Sequence, residues 1–192
     1  MSRLMRTSEI EKRPVVTMGG EDIAQIKDIV FAASGGEVGG FTLAGRGLFS
    51  GGKKEGLPWN SVVALGSDAV MVVDEDALQP KQEVIDSSAA SGGSGGNVLG
   101  SQVLTDTGTD LGKVVDVIIE IGARCDVVGY EIEASEALAN KGQKVLIPLP
   151  DTLAASSEHL MVPDAAKEFV SDDLAGFGAS VDAFRSRLKG SD

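Results

Sequence analysis

Residues 16–41 read VTMGGEDIAQIKDIVFAASGGEVGGF, and residues 103–130 read VLTDTGTDLGKVVDVIIEIGARCDVVGY. The two stretches are similar: the segment 22–31 aligns with the segment 110–119, which lies 88 positions further along the chain. A repeat of this length predicts that one structural unit occurs twice. The sequence therefore indicates two related domains before any functional motif is considered.

Each copy carries the pattern of several short β-strands. In the second copy, Val128, Tyr130 and Ile132 alternate with glycine and glutamate, which is the period of a half-buried strand. Pro58 and Pro148 each end a later strand, because proline donates no backbone hydrogen bond and belongs at the edges or ends of strands. Short strands with closely spaced turns predict a mainly β fold, with one small closed or nearly closed barrel in each copy.

Composition and periodicity divide the chain into four segments. The expected first barrel spans 1–80 and the second spans 98–165, with a Gly/Ser-rich linker at 81–97 between them. The tail at 166–190 is predicted to form an amphipathic helix, because its large apolar residues recur at helical spacing. These residues are Phe169, Leu174, Phe177, Val181, Phe184 and Leu188. The helix either packs on its own chain or docks in a groove on a partner.

The charge of the chain excludes some classes of function. The net charge is −12, and residues 79–192 contribute −9 of it. Such an acidic protein repels phosphate backbones, so direct contact with nucleic acid is disfavoured. The single cysteine rules out an internal disulfide. Because no apolar run resembles a signal peptide or a membrane span, we expect a cytoplasmic protein without a transmembrane segment.

No set of residues in the sequence has the composition of a catalytic centre. His159 is the only histidine, and Cys125 lies in a turn without a nearby histidine to activate it. Asp28 and Asp116 occupy matching positions within strands, where a carboxylate is expected to accept hydrogen bonds from backbone or turn groups. We therefore expect no catalytic residue, no metal site and no cofactor, and we expect that the protein is not an enzyme.

The best candidates for contact with a partner lie on a Gly-rich loop and on the tail. The loop between residues 45 and 56 is predicted to project as a hairpin, and loops on a rigid scaffold commonly carry binding residues. Its apolar residues either bind a partner or cap the end of their own barrel. The candidates are Arg46, Leu48, Phe49, Lys53 and Lys54 of this loop, Trp59 after it, and Phe177 and Phe184 of the tail.

Each copy resembles a PRC-barrel, the small β-barrel named after the cytoplasmic domain of the photosynthetic reaction centre H subunit. The resemblance rests on residues 22–30 and 110–118, which are similar to the family's run G-x-x-I/L-G-K-V-x-D-V, and on residues 56–59 and 145–148, which are similar to its later run ending in proline. Ala24 replaces the glycine that the family favours in the first of these runs. The resemblance covers about 1–78 and 98–163, which is most of the chain.

This resemblance implies binding and adaptor work in place of chemistry. One relative sits on the reaction centre, and another forms a domain of a ribosome maturation factor. We therefore expect a non-catalytic adaptor or scaffold that acts through protein–protein contacts, with a partner of unknown identity and possible homo-oligomerisation. One alternative is a ribosome- or RNA-processing-associated factor, favoured by the basic loop between residues 45 and 56 and by the basic residues Arg3, Arg6, Lys12 and Arg13. The other is a module that binds a small molecule or a metal.

Overall fold

The computed structural model describes residues 3–32, 36–47, 51–89, 98–150, 154–155 and 159–190. The mainly β fold and the C-terminal helix predicted from the sequence are confirmed, and the described strands form two seven-stranded sheets. The strands are β1 Arg3–Arg6, β2 Pro14–Thr17, β3 Asp22–Phe31, β4 Val38–Ala44, β5 Gly52–Pro58, β6 Val62–Leu65, β7 Val70–Val72, β8 Gln79–Pro80, β9 Gln102–Thr105, β10 Asp110–Ile121, β11 Cys125–Ala134, β12 Lys144–Pro148, β13 Ala154–Ala155 and β14 His159–Val162. The helices are α1 Lys81–Ala89 and α2 Leu174–Lys189, with short 3-10 helices at Thr7–Glu9, Trp59–Ser61, Glu75–Ala77 and Asp164–Phe169.

The chain divides into two compact units. The first-copy unit contains Thr7–Gly93 and Ala123–Cys125. The second-copy unit contains Met1–Arg6, Ser94–Gly122 and Asp126–Asp192. Each unit contains one sheet and the helix that follows its strands, so each copy of the repeat consists of strands and a helix.

The sheet of the first-copy unit has the strand order β6-β7-β2-β3-β4-β5-β8. Neighbouring strands are antiparallel, except that β2 and β7 run parallel, with Val15 opposite Val70. Alternate residues of these strands point inward and form an aliphatic core. Ile26, Phe41 and Leu57 are fully buried within it.

Helix α1 occupies the first half of the segment that the sequence assigned to a flexible linker. Val84 of this helix is buried against β4 and β5. The contact is close because both strands carry glycine there: a Cβ added to Gly40 would lie 2.7 Å from Val84 Cγ1, and one on Gly56 would lie 3.1 Å from Val84 Cγ2. The polar composition after Pro80 does not indicate this short helix, because Val84 is the one fully buried apolar side chain among residues 81–88. Residues 90–97 of the expected linker lie outside the described residues.

The sheet of the second-copy unit has the strand order β12-β11-β10-β9-β14-β13 and is completed by β1, which pairs with β10. The pairing of β9 with β14 is parallel, with Val103 opposite Leu160, and repeats the parallel pairing of β2 with β7. The repeat is also visible at the prolines. Pro58 lies opposite Gly40, and Pro148 lies opposite Gly129.

Strand β1 belongs to the second-copy unit, although the sequence placed it within the expected first barrel at 1–80. It pairs antiparallel with β10, with Arg3 opposite Ile121 and Arg6 opposite Ile118. Met5 is fully buried in this position. The burial of Met5 and the backbone hydrogen bonds of the ladder explain this placement. The sequence of residues 3–6 did not predict it.

Helix α2 is shorter than the expected segment 166–190. The chain first forms the 3-10 helix Asp164–Phe169, and α2 begins after Asp173, whose side chain accepts a hydrogen bond from the Gly176 backbone N–H at 3.0 Å. An N-cap of this kind satisfies a backbone donor that the helix leaves open. Phe177, Val181 and Phe184 are buried, so the apolar stripe of the helix packs on its own unit.

Among the described residues, no helix combines the length and the apolar character that crossing a membrane requires.

Candidate functional site

A groove on the second-copy unit lies between α2 and the strands β1, β10 and β11. Its volume is about 710 Å³. The groove is lined by Arg3, Leu4, Glu120, Val128, Leu174, Ala175, Gly178, Val181 and Asp182. We refer to it as the α2 groove. Because its walls come from segments far apart in the sequence, only the folded second-copy unit contains it.

The floor of the α2 groove is apolar. Val128 and Val181 belong to the buried core of the unit, and Leu4 and Leu174 pack against that core while staying partly exposed. The small residue Gly178 leaves space above the floor, since a Cβ at this position would lie 3.7 Å from Leu4 Cδ1. The groove is therefore suited to receive apolar groups.

The position of α2 is set by a close contact beneath the groove. Phe177 lies directly over Gly129 of β11, where an added Cβ would be only 2.4 Å from Phe177 Cζ. Glycine at this position lets the aromatic ring reach the sheet. Gly129 in the second copy and Gly40 in the first copy therefore have the same role, which is to admit a helix that follows the strands.

The rim of the α2 groove is charged. It carries one cation, Arg3, and two carboxylates, Glu120 and Asp182. None of these three side chains forms an ion pair within the described part of the chain. An apolar floor with uncompensated charges at its edge is the usual composition of a surface that binds another molecule.

Strand β1 is held in the wall of the groove by a salt bridge. Arg6 donates through Nε and Nη2 to Glu131 Oε2, at 2.8 and 2.6 Å. Glu131 is buried on β11, so the pair joins β1 to the interior of the unit. The sequence did not predict this wall, because nothing in the four residues Arg3–Arg6 indicates which strand they pair with.

None of the basic residues of the predicted hairpin lines the α2 groove, and two of them bind groups of their own unit. Arg46 forms an ion pair with Asp22, and Lys53 Nζ donates to the Ile23 carbonyl at 3.0 Å. Lys54 is exposed, and Trp59 is half-buried with its ring edge against Phe41 at a centroid distance of 6.2 Å. The other two hairpin candidates, Leu48 and Phe49, lie outside the described residues.

The two tail candidates lie beneath the surface. Phe177 and Phe184 are fully buried, and the ring of Phe184 packs on Phe169 at a centroid distance of 5.5 Å. The helical spacing identified the buried face of α2 correctly. The residues of α2 that line the groove lie beside that face.

The two matching aspartates have different surroundings. Asp28 is exposed, and its Oδ2 accepts a hydrogen bond from Thr42 Oγ1 at 3.1 Å. Asp116 is buried, and its Oδ1 accepts from the Val117 backbone N–H at 2.8 Å. Both carboxylates therefore accept hydrogen bonds inside their own strands or from the neighbouring strand.

Three other polar or titratable side chains are not part of the groove lining. Cys125 is buried at the start of β11, and His159 is half-buried at the start of β14. Burial raises the pKa of the Tyr130 hydroxyl well above its usual value. Within the described ranges, no group of three His, Cys, Asp or Glu side chains has an arrangement that could hold a metal ion.

Comparison with known proteins identifies the family. No curated protein matches the chain. The family model of the PRC-barrel domain matches it twice, at residues 3–78 and 94–168. These two matches together cover most of the sequence and coincide with its two repeats. The chain therefore belongs to the PRC-barrel family and carries two PRC-barrel domains in tandem.

Proposed function

We propose that this protein is a non-catalytic adaptor or scaffold, and that it binds a protein partner through the α2 groove. The observation that carries the proposal is the groove itself, which combines an apolar floor with the unpaired rim charges Arg3, Glu120 and Asp182. We further propose that the protein acts in the cytoplasm, where a net charge of −12 is compatible with a dissolved protein.

The apolar floor and charged rim of the groove favour an amphipathic segment of a partner. A helix that docks in a groove buries its apolar face and leaves its polar face at the rim. Leu4 and Leu174 are partly exposed in the groove and offer apolar contacts. The two carboxylates and Arg3 then select the partner by its charges, which contributes mainly to specificity.

The proposal is tested by filling the groove. Ala175 lines it and is exposed, so Ala175→Glu places a bulky charged side chain inside it without disturbing the core. Ala183 is an exposed alanine of the same helix that does not line the groove, and Ala183→Glu is the matched control. The full-length protein and both variants are used to capture partners from cell extract, and the captured proteins are quantified.

We expect at least one protein to be captured by the wild type and by Ala183→Glu but not by Ala175→Glu. Equal capture by all three proteins would reject the groove as the binding surface. The absence of any captured protein in the presence of a chemical cross-linker would count against the adaptor function itself.

The groove also favours a second candidate, a small apolar ligand. Its volume of about 710 Å³ falls in the range of sites for small molecules. A ligand that binds the native state raises the unfolding temperature by mass action. A metabolite that stabilises the wild type and Ala183→Glu but not Ala175→Glu would support this candidate over the adaptor.

The ribosome- or RNA-associated alternative receives less support. Of the four basic residues near the N-terminus that favoured it, Arg6 is engaged with Glu131 and Arg13 donates to the Gly66 carbonyl. Arg3 and Lys12 are exposed.

A further inference from the structure

We propose that an apolar surface on the first-copy unit, separate from the α2 groove, binds a protein segment in which basic residues flank an apolar anchor. The surface lies on the outer side of β2 and β7 and continues onto the edge strand β6. It consists of Val16, Met18, Val63, Ala64, Met71 and Val73. We call it the β2–β7 face.

The register of the strands brings these residues together. Val16 lies opposite Met71 in the parallel pair, and the inward neighbours on both strands are buried. One step further along, the Met18 backbone N–H donates to the carbonyls of Val72 and Val73, at 2.9 and 3.2 Å. Met18 and Val73 therefore lie side by side at the end of the two strands.

The largest side chains of the face include strongly exposed ones. Met18 is 64% exposed, Val73 is 61% exposed and Val63 is 53% exposed. They are three of the five large apolar side chains with the greatest exposure in the described part of the chain. Single exposed apolar residues are normal, but a cluster of them marks an interaction surface.

The second copy shows that the fold does not require apolar residues here. The Asp106 backbone N–H donates to the Val162 carbonyl at 2.9 Å, which repeats the bond from Met18 to Val72. A carboxylate thus occupies in the second copy the position that Met18 occupies in the first. The Asp106 side chain accepts a hydrogen bond from the Asp164 backbone N–H at 3.0 Å. Since the equivalent position of the second copy carries Asp, the fold does not require the exposed apolar side chain of Met18.

The edge beside the face carries no charge. Strand β6 is the outermost strand of its sheet, and its residues Val62–Leu65 are all apolar. Natural proteins commonly protect such an edge with lysine, proline or a bulge. Here a bulge between Val62 and Ala64 turns Val63 outward beside the face.

The rim at the Met18 end of the face is acidic. Glu21 lies on the turn that follows Met18, and Asp74, Glu75 and Asp76 directly follow Val73. All four are exposed, and none forms an ion pair with a described residue. Uncompensated carboxylates around an apolar centre complement a partner that carries lysine or arginine around an apolar anchor.

The same charges disfavour other occupants. A second copy of the chain would place two acidic rims near each other, and its net charge of −12 adds repulsion. The anionic surface of a membrane would also be repelled. A basic amphipathic segment is the occupant that satisfies both the apolar centre and the rim.

A model peptide tests the proposal directly. The probe is a fluorescent amphipathic peptide of Lys and Leu, compared with a Glu/Leu peptide of the same length, and binding to the full chain is followed by anisotropy at low and high salt. Met18→Asp introduces the residue that the second copy carries at this position. Met161→Asp is the matched control, because Met161 is an exposed residue on the equivalent face of the second copy.

We expect the Lys/Leu peptide to bind and the Glu/Leu peptide not to bind. Met18→Asp should weaken binding about tenfold or more, because it removes a large apolar contact although it adds a favourable charge. The double variant Glu75→Gln, Asp76→Asn should weaken binding and reduce its dependence on salt. Met161→Asp should leave binding unchanged. Val73→Asp serves as a second variant if Met18→Asp does not fold.

Equal binding by the wild type and by both Met18→Asp and Val73→Asp would overturn the proposal, because the peptide would then bind without the apolar centre of the β2–β7 face. A dimer in sedimentation that Met18→Asp abolishes would assign the face to a second copy. Binding to phosphatidylserine vesicles that Met18→Asp abolishes would assign it to a lipid surface. Either of these outcomes would replace the proposed occupant.

Discussion

Arg6 and Glu131 are 125 positions apart in the sequence, and their side chains meet at 2.6 Å between Arg6 Nη2 and Glu131 Oε2. This ion pair fastens β1 to β11 of the second-copy unit. The Arg6 side chain is 28% exposed and the Glu131 side chain 10% exposed, so water screens the pair only in part. The contact adds to the ladder with β10 and to the burial of Met5 in holding β1, which forms one wall of the α2 groove.

Arg6→Ala is expected to destabilise the second-copy unit by about 2–3 kcal/mol. The loss of one partner leaves a buried carboxylate without compensation, which costs roughly 3–5 kcal/mol for a fully buried pair and less here because Arg6 is partly exposed. Chemical denaturation of the full chain measures the change.

The double variant Arg6→Ala, Glu131→Gln is the control, and it should be less destabilised than the sum of the two single variants. Strict additivity would mean that the pair does not hold β1.

Gly129→Ala is expected to destabilise the second-copy unit by about 1–3 kcal/mol, which is the typical cost of overpacking a core. The added methyl group would lie 2.4 Å from Phe177 Cζ and 2.5 Å from the Ile147 carbonyl oxygen. Either the helix or the sheet must move, so the unfolding temperature should fall.

The matched glycine is Gly178, one residue after Phe177, where an added methyl group has space. Gly178→Ala should stabilise α2 by up to about 1 kcal/mol, because alanine has the higher helix propensity. Opposite signs for the two variants in thermal unfolding are therefore expected. A stabilising Gly129→Ala would contradict the close contact between Phe177 and the sheet.

Because Tyr130 is buried, we expect the free energy of unfolding to fall at alkaline pH. Burial raises the pKa of this hydroxyl in the folded state above its ordinary value of 10.0. Above about pH 10 the unfolded chain loses this proton and the folded chain keeps it, so the unfolded state binds fewer protons and the free energy of unfolding falls as pH rises. Below pH 10 both states are protonated, and this residue contributes no pH dependence.

Tyr130→Phe is the matched variant, since the first copy carries Phe41 at the equivalent position. The variant should lose part of the decline in stability that the wild type shows above pH 10. Tyr130 is the only tyrosine of the chain, so tyrosinate absorbance reports on it alone. Ionisation of the folded protein near pH 10 would disprove that burial holds the proton.

Much of the fold could be predicted because it depends on local patterns. The alternation around Tyr130 placed β11, and the spacing of Phe177, Val181 and Phe184 placed the buried face of α2. The site was harder to predict because it depends on long-range packing. Residues 3–6 form one wall of the groove because they pair with β10, more than 110 positions away. Helix α1, outside the site, was hard to predict for the same reason, since Val84 packs on the distant Gly40 and Gly56.

The amino-acid sequence by itself determined that one strand-rich unit occurs twice and that a helix follows the second copy, because the period of apolar residues sets which faces must be buried. It also determined the acidic charge of the chain. Only the tertiary structure decided that β1 completes the sheet of the second copy, that α2 forms a groove with it, and that Met18 and Val73 meet on an open face. Pairing between strands that are far apart in the sequence depends on which strand edges still have unpaired backbone N–H and C=O groups after the local elements have formed. Those edges are defined only in the assembled units.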